Sequence, residues 1–274
     1  MPVNSVAFVH AHPDDEALLS GGTLRALHQK GIRTIVIFLT NGQRGMSERA
    51  ISDELGVVRQ REALTSAQIL GVGQTYFLGF EDSGLFAENE APTSLTKIPL
   101  EVICDKLQAI LDVEKPSVVI GYDAQGGYGH PDHKVVHHVV RQLSETTQIQ
   151  TFLEVTVDRS IIAFTLDRFR HLISLMNTLR LVRQKDVFAL ADGFSASADI
   201  QYRINVQSFC SAKRSALKAH HSQTTGGVRN IGIMTLLPRF IFKRLFGIEW
   251  FVSIREAADN PLKSLASSNS ISRN

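Results

Sequence analysis

Residues 5–40 read SVAFVHAHPDDEALLSGGTLRALHQKGIRTIVIFLT, and this stretch decides the fold. Residues 5–11 are an apolar, β-rich run that stops at the pair His12-Pro13. Residues 16–30 then carry Leu19, Leu24 and Leu27 at helical spacing and close on Gly31, a residue suited to ending a helix. Residues 33–40 form a second strand, built on Thr-Ile-Val-Ile-Phe-Leu, that ends at the loop signal Asn41-Gly42. Both strands are continuously apolar rather than alternating, which is the pattern of strands covered on two faces in a parallel sheet. The stretch is therefore one βαβ unit.

The same alternation extends outward. A helix is predicted over residues 53–70, with Ala63, Ala67 and Leu70 on one face, followed by a strand over 74–78. Leu100, Ile103, Cys104, Leu107, Ile110 and Leu111 mark another helix, ended by Lys115-Pro116. A strand over 117–122, a helix over 132–143 and a strand over 151–157 follow. The predicted fold is α/β and Rossmann-like, a mostly parallel sheet flanked by helices with a less regular C-terminal part. In that part, helices are read over 167–183 and 208–220 and a strand over 200–206, while 87–97 is read as a loop. One domain is expected over 1–263 and a polar, flexible tail over 264–274.

Bulk properties narrow the function. At 274 residues and 43% hydrophobic content the chain is too apolar for disorder and long enough to bury a core without staples. A net charge of +2 (29 basic against 27 acidic residues) gives no field that would gather nucleic acid. Cys104 and Cys210 read as buried, reduced thiols, which fits a reducing compartment. Neither a signal peptide nor a membrane span is legible, so a cytoplasmic protein is expected. The apolar run 235–251 carries Arg239, Lys243 and Arg244, which raises a membrane-surface role. Pro238 interrupts it, and the plainer reading is a piece packed on the sheet.

Two short motifs carry the chemistry: His12-Pro13-Asp14-Asp15 and His130-Pro131-Asp132-His133. Each follows a predicted strand. Proline pushes the preceding histidine out of the α region, and Pro13 and Pro131 suit the first position of a helix. Asp14, Asp15, Asp132 and His133 are thereby placed in first turns, where free N–H groups favour carboxylates. In a parallel sheet the carboxyl ends of the strands share the edge where ligands bind. The polar clusters 12–16, 40–42, 81–83 and 122–133 all fall there. A lone His-Pro-Asp is commonly only a cap; two at one binding edge point to function.

Two imidazoles and a carboxylate are a common catalytic zinc set, and the same set could hold ferrous iron. His12, Asp15 and His133 as ligands leave Asp14 free to take a proton from water that the cation has acidified. His137, one turn beyond His133, rivals it as a ligand; it and His138 fall deeper in the helix, where packed or solvated side chains are expected.

Ala11-His12-Pro13-Asp14-Asp15-Glu16 and Gly126-Gly127-Tyr128-Gly129-His130-Pro131-Asp132-His133 resemble the signatures of the PIG-L/LmbE-like zinc N-deacetylases. Further matches are Thr40-Asn41-Gly42, Arg59-x-x-Glu62-Ala63, Asp82-Ser83-Gly84 and Lys213-x-x-Ala216 with His220-x-Ser222-Gln223. The resemblance spans about residues 5–253, and the Gly-Gly-Tyr-Gly lead-in is similar to the mycothiol-pathway branch. It implies zinc on His12, Asp15 and His133, Asp14 as general base, and a protonated His130 near the leaving amine. It implies that Asp132 holds and tunes the histidines and that Tyr128 reaches the substrate carbonyl or oxyanion. Arg59, Asp82, Asn41 and His220 would bind substrate.

The reaction so implied is hydrolysis of an N-acetyl amide on a small amino-sugar substrate. An amidase of a thiol-sugar conjugate is the neighbouring reading. A metal-retaining binding protein fits less well, because a pure binder would not require Asp14, Tyr128 and His130 together. The loops over 44–52 and 80–97 and the region after 160 are expected to shape the pocket. Homo-oligomerisation is left open.

Overall fold

The computed structural model describes residues 5–45, 53–84, 91–168, 193–223 and 231–267, with single positions at 170, 171, 174 and 178. Its centre is a seven-stranded sheet. The strands are β1 (Ser5–His10), β2 (Arg33–Thr40), β3 (Gln74–Phe80), β4 (Val118–Tyr122), β5 (Thr151–Thr156), β6 (Tyr202–Asn205) and β7 (Ile248–Arg255). They lie in the order β3-β2-β1-β4-β5-β7-β6. The first five are parallel, with Ala7 opposite Ile35 on one side and Val119 on the other. β7 pairs antiparallel with both β5 and β6. The mostly parallel α/β expectation holds, and the C-terminal strands add an antiparallel flank.

The helices are α1 (Asp15–Leu19), α2 (Gly21–Gln29), α3 (Asp53–Leu70), α4 (Leu100–Glu114), α5 (Pro131–Thr146), α6 (Arg159–Arg168), α7 (Cys210–Ala219), α8 (Ile231–Leu236), α9 (Arg239–Phe246) and α10 (Pro261–Ser267). β1 and β4 are buried at every position, and β2 at all but its first. Their uninterrupted Val, Ile, Phe and Leu content is thus accounted for by burial on both faces. Cys104 and Cys210 are free and buried, as expected.

The sequence expectation differs from the structure in several places. The single helix over 16–30 is two, broken at Ser20. The first starts at Asp15 with Asp14 as its N-cap, so Pro13 lies outside the helix rather than at its first position. Pro131 does occupy that position in α5, after an extended His130. The helix expected over 167–183 falls mostly outside the described residues, and α6 starts before it and covers its first two positions. Residues 87–90 of the expected loop, 46–52 and 85–90 of the pocket-shaping stretches, and 268–274 of the expected tail also lie outside them. The expected tail begins inside α10, whose Leu262 and Leu265 are buried against the core.

Strand order reverses between β1 and β4, with β2 and β3 on one side and β5 on the other. A crevice opens at such a switch point beyond the carboxyl ends of the strands. His12 follows β1 and the 122–133 segment follows β4, so the topology brings the two motifs to one crevice.

Candidate active site

His12, Asp15, Asp82, Asp132, His130 and His133 meet there, all buried. Asp15 Oδ2 lies 3.4 Å from His12 Nδ1 and 3.2 Å from His133 Nε2. The other nitrogen of His12, Nε2, is 3.1 Å from Asp132 Oδ2 and 3.5 Å from Asp82 Oδ1. The His12 and His133 rings are 5.3 Å apart, and that of His130 is 4.5 Å from His12 and 5.0 Å from His133. Among the described residues, the donor groups lying within 4.8 Å of one another are His12/His130/His133 and His12/Asp82/Asp132.

The donor set suits a cation. The carboxylates of Asp14, Asp15 and Asp82 line one largely buried site with that of Asp132 beside His12, and of the cations on the same wall Arg59 pairs with Asp14 and Lys213 with Glu249. Uncompensated carboxylates in such surroundings are costly, and a divalent ion offsets that cost. Burial alone would push the His12 imidazole down, yet Asp82, Asp132 and Asp15 outweigh it and hold its pKa well above the usual value. Burial would likewise raise the Asp15 carboxyl, but His133 and His12 keep it well below the usual range. Both ring nitrogens of His133 and Oδ1 of Asp132 are buried without a hydrogen-bond partner. Of these, the Nε2 of His133, 3.2 Å from Asp15 Oδ2, offers a lone pair that a cation held between the two would satisfy. With zinc–ligand bonds of 2.0–2.2 Å, neighbouring donors of a tetrahedron stand about 3.4 Å apart, which the two Asp15 separations approach.

Asp14 sits at φ 114°, a conformation that side-chain-bearing residues seldom adopt. It is held from both sides. Its N–H donates to Glu16 Oε2 at 2.9 Å. Arg59 donates to Asp14 Oδ2 at 3.1 Å, to Gly42 O at 2.7 Å and to Pro13 O. Burial pushes the Asp14 carboxyl up to about 7 against the pull of Arg59. A base poised near neutrality is the result.

Burial, with the imidazoles of His12 and His133 beside it, holds His130 well below its usual pKa. His130 Nδ1 accepts the Asp132 N–H at 3.2 Å, so the neutral ring carries its proton on Nε2. The expected protonated His130 is thereby corrected to a neutral N–H donor. Asp132 Oδ2 accepts Ser83 N–H at 3.0 Å and faces His12, so its carboxylate holds His12 rather than His130.

A cavity of about 400 Å³ opens over these groups, lined by Asp14, Asp82, Arg59, Tyr128 and His130 among others. Tyr128 stands with its ring 5.1 Å from His133 and 6.0 Å from His130. Two expected substrate-binding residues are not in the lining. Asn41 Oδ1 accepts from Gln60 Nε2 at 2.7 Å on α3. His220 is fully buried, its Nε2 2.8 Å from Glu16 Oε1, which also accepts Ser66 Oγ at 2.5 Å. Its place in the fold makes it a brace for Glu16, and Glu16 in turn braces Asp14. Arg59 lines the cavity, but its guanidinium is committed to Asp14 and two carbonyls. His137 is 2.9 Å from Glu154 and His138 is exposed, so neither joins the donor cluster.

Two residues with a role here received none in the sequence reading: Glu16 and Tyr122. Tyr122 O–H donates to Asp15 Oδ2 at 2.7 Å, and its ring stacks on His133 at 4.1 Å. It also receives Ala11 N–H at 3.2 Å and lies 3.3 Å from His10 Nδ1. Burial pushes His10 down to about 4, so this partner is neutral. The available signal was position: Tyr122 ends the strand beside β1, at the sheet edge. Tyr122→Phe is expected to weaken zinc binding roughly tenfold, as lost orienting partners of metal ligands do. Competition against a chromophoric chelator measures it, and unchanged affinity would remove the role.

The model of the PIG-L family, described as GlcNAc-PI de-N-acetylase, matches residues 7–144. The 1D-myo-inositol 2-acetamido-2-deoxy-alpha-D-glucopyranoside deacetylase of Acidothermus cellulolyticus is 31% identical, over 93% of this chain and 90% of that protein. The enzyme of the same name from Rhodococcus opacus is 30% identical, over 94% of each chain. In fold, the chain is similar to N,N'-diacetylchitobiose deacetylase from Pyrococcus horikoshii, with a TM-score of 0.58 and 22% identity over 92% of this chain and 84% of that one. The matched segment carries both histidine motifs, and the relatives extend the likeness over more than nine tenths of the chain: the chain belongs to the PIG-L family of de-N-acetylases.

Proposed function

We propose that this chain is a zinc-dependent deacetylase that hydrolyses the N-acetyl group of an amino-sugar conjugate, releasing acetate and a free amine. The observation that carries the reading is Asp14, held in a strained backbone beside a cation-seeking cluster and facing a cavity. His12, Asp15 and His133 would hold the metal. When bound, zinc supplies Lewis acidity and lowers the pKa of a coordinated water to around 7.

The protein's own groups then divide the work. Asp14 accepts a proton from the attacking water, and Arg59 keeps its carboxylate aimed. Tyr128 O–H and the Nε2–H of His130 donate to the oxygen that becomes negative as the carbonyl turns tetrahedral. Asp14 and His130 are the groups placed to return a proton to the departing amine. Asp82, on the cavity wall, faces sugar hydroxyls. The pseudo-disaccharide named for the curated relatives is the first substrate to test. Supplied with zinc and a panel of N-acetylated amino-sugar conjugates, the protein is expected to release equal amounts of acetate and amine, detected by mass. Absence of amine from every N-acetyl sugar would sink the reading, and cleavage of a larger acyl conjugate alone would favour the amidase.

His130 is close enough to make His12, His130 and His133 a rival all-imidazole ligand set. Zinc content separates the two. His130→Ala is expected to keep stoichiometric zinc and lose turnover, whereas loss of zinc there with retention in Asp15→Ala would make His130 the ligand.

A further inference from the structure

Large apolar side chains at the surface of the described residues are not evenly spread. Ten are exposed, and six of them (Ile161, Phe164, Ile233, Leu236, Phe240 and Leu245) belong to α6, α8 and α9. Leu236 is 79% exposed, Phe240 74% and Phe164 73%. Singly placed exposed hydrophobes need no explanation, but six on three helices around one cavity do.

These helices share one feature of position. Ile161, Leu166, Ile231, Met234, Leu245 and Phe246 all line the cavity over the active site, so α6, α8 and α9 form its apolar rim. Helix α9 has two faces. Phe242 is buried beside Arg214 of α7, with Phe246 packed against the core, so that side belongs to the body of the protein. Its outer side presents Phe240 among Arg239, Lys243 and Arg244, all exposed. Residues 231–248 contain these three basic residues and no acidic one. Pro238 separates α8 from α9 without removing the outer face, because it serves as the N-cap of α9. Exposed aromatic and aliphatic side chains beside basic ones are the composition of helices that lie in a bilayer interface. No helix among the described residues is long and apolar enough to cross a membrane.

We infer that the α6, α8 and α9 face docks on the surface of an anionic lipid bilayer, with the cavity mouth turned toward the lipid. The charge decides the occupant. A second copy of the chain would have to meet three clustered cations with its own identical patch, whereas anionic headgroups complement them. The inference goes beyond the deacetylase reading, and its test does not depend on turnover.

The full chain is sedimented with vesicles of phosphatidylcholine, with or without phosphatidylglycerol. Binding to the anionic vesicles and little to the neutral ones is expected. K243Q with R244Q should lower the partition roughly 25-fold, about fivefold for each basic residue removed. F240S should lower it as well, and both variants should keep wild-type zinc content, since none of these side chains lines the cavity. Equal binding to neutral vesicles, no binding to anionic ones, or variants that bind like wild type would overturn the inference. A dimer in sedimentation velocity that F240S dissociates would overturn it in favour of a second copy.

Discussion

Asp14→Asn is expected to keep one zinc per chain and to lose at least about a hundredfold in kcat, the lower end of what a lost general base costs. The amide is isosteric and tolerates left-handed backbone better than most residues, so the φ of 114° should survive. It can still accept from Arg59 but cannot take a proton from water. Binding and chemistry are thereby separated: KM should move little while kcat falls. Alanine would remove the acceptor of Arg59 as well and mix the two effects. If the asparagine variant hydrolyses substrate at the wild-type rate, the base is another group, and Asp82 on the same wall becomes the candidate.

The second large effect concerns the ligands. His133→Ala and Asp15→Ala are each expected to weaken zinc binding by more than about a hundredfold, the upper end of what even a lost partner of a ligand costs. Asp15 is the sharper case, because its Oδ2 touches both His12 and His133 and also accepts from Tyr122. Removing it leaves two imidazoles without the carboxylate between them. Dialysed protein assayed for metal by mass spectrometry gives the result. Stoichiometric zinc in Asp15→Ala would exclude that residue from the ligand set.

The parallel half of the fold was legible because burial on both faces writes itself into β1, β2 and β4 as unbroken apolar sequence. Helix α3 was read to its observed C-terminal end, Leu70, which Gly71 follows. Helix α6 was not seen: none of its residues is buried, so no apolar stripe against a core marks it, and its apolar side chains face the cavity rim and solvent. Strand β7 was hidden behind the basic and aromatic run of α9, which blurs where one element ends. The break at Ser20 has a tertiary cause. Glu249, 227 residues from Gly22, accepts the N–H groups of Gly22 and Thr23 at 2.8 and 2.7 Å and caps α2 from outside.

The site shows the same division. The two motifs name the cluster, since a histidine before proline after a buried strand can only project at the sheet edge. What the motifs do not carry is which groups brace which. The partner of Glu16 is His220, 204 residues later, and nothing in a local stretch tells a brace from a substrate contact. Arg59 is a comparable case, expected at a sugar hydroxyl and found holding Asp14. The protonation of His130 depends on its burial beside two other imidazoles, which no local reading supplies.

The most direct measurement is an anomalous difference map from zinc-soaked crystals, collected on both sides of the zinc edge. The account predicts one peak within about 2.3 Å of His12 Nδ1, Asp15 Oδ2 and His133 Nε2, with Asp14 beside it and unligated. A peak bound by His130 in place of Asp15, or none in this crevice, would contradict it.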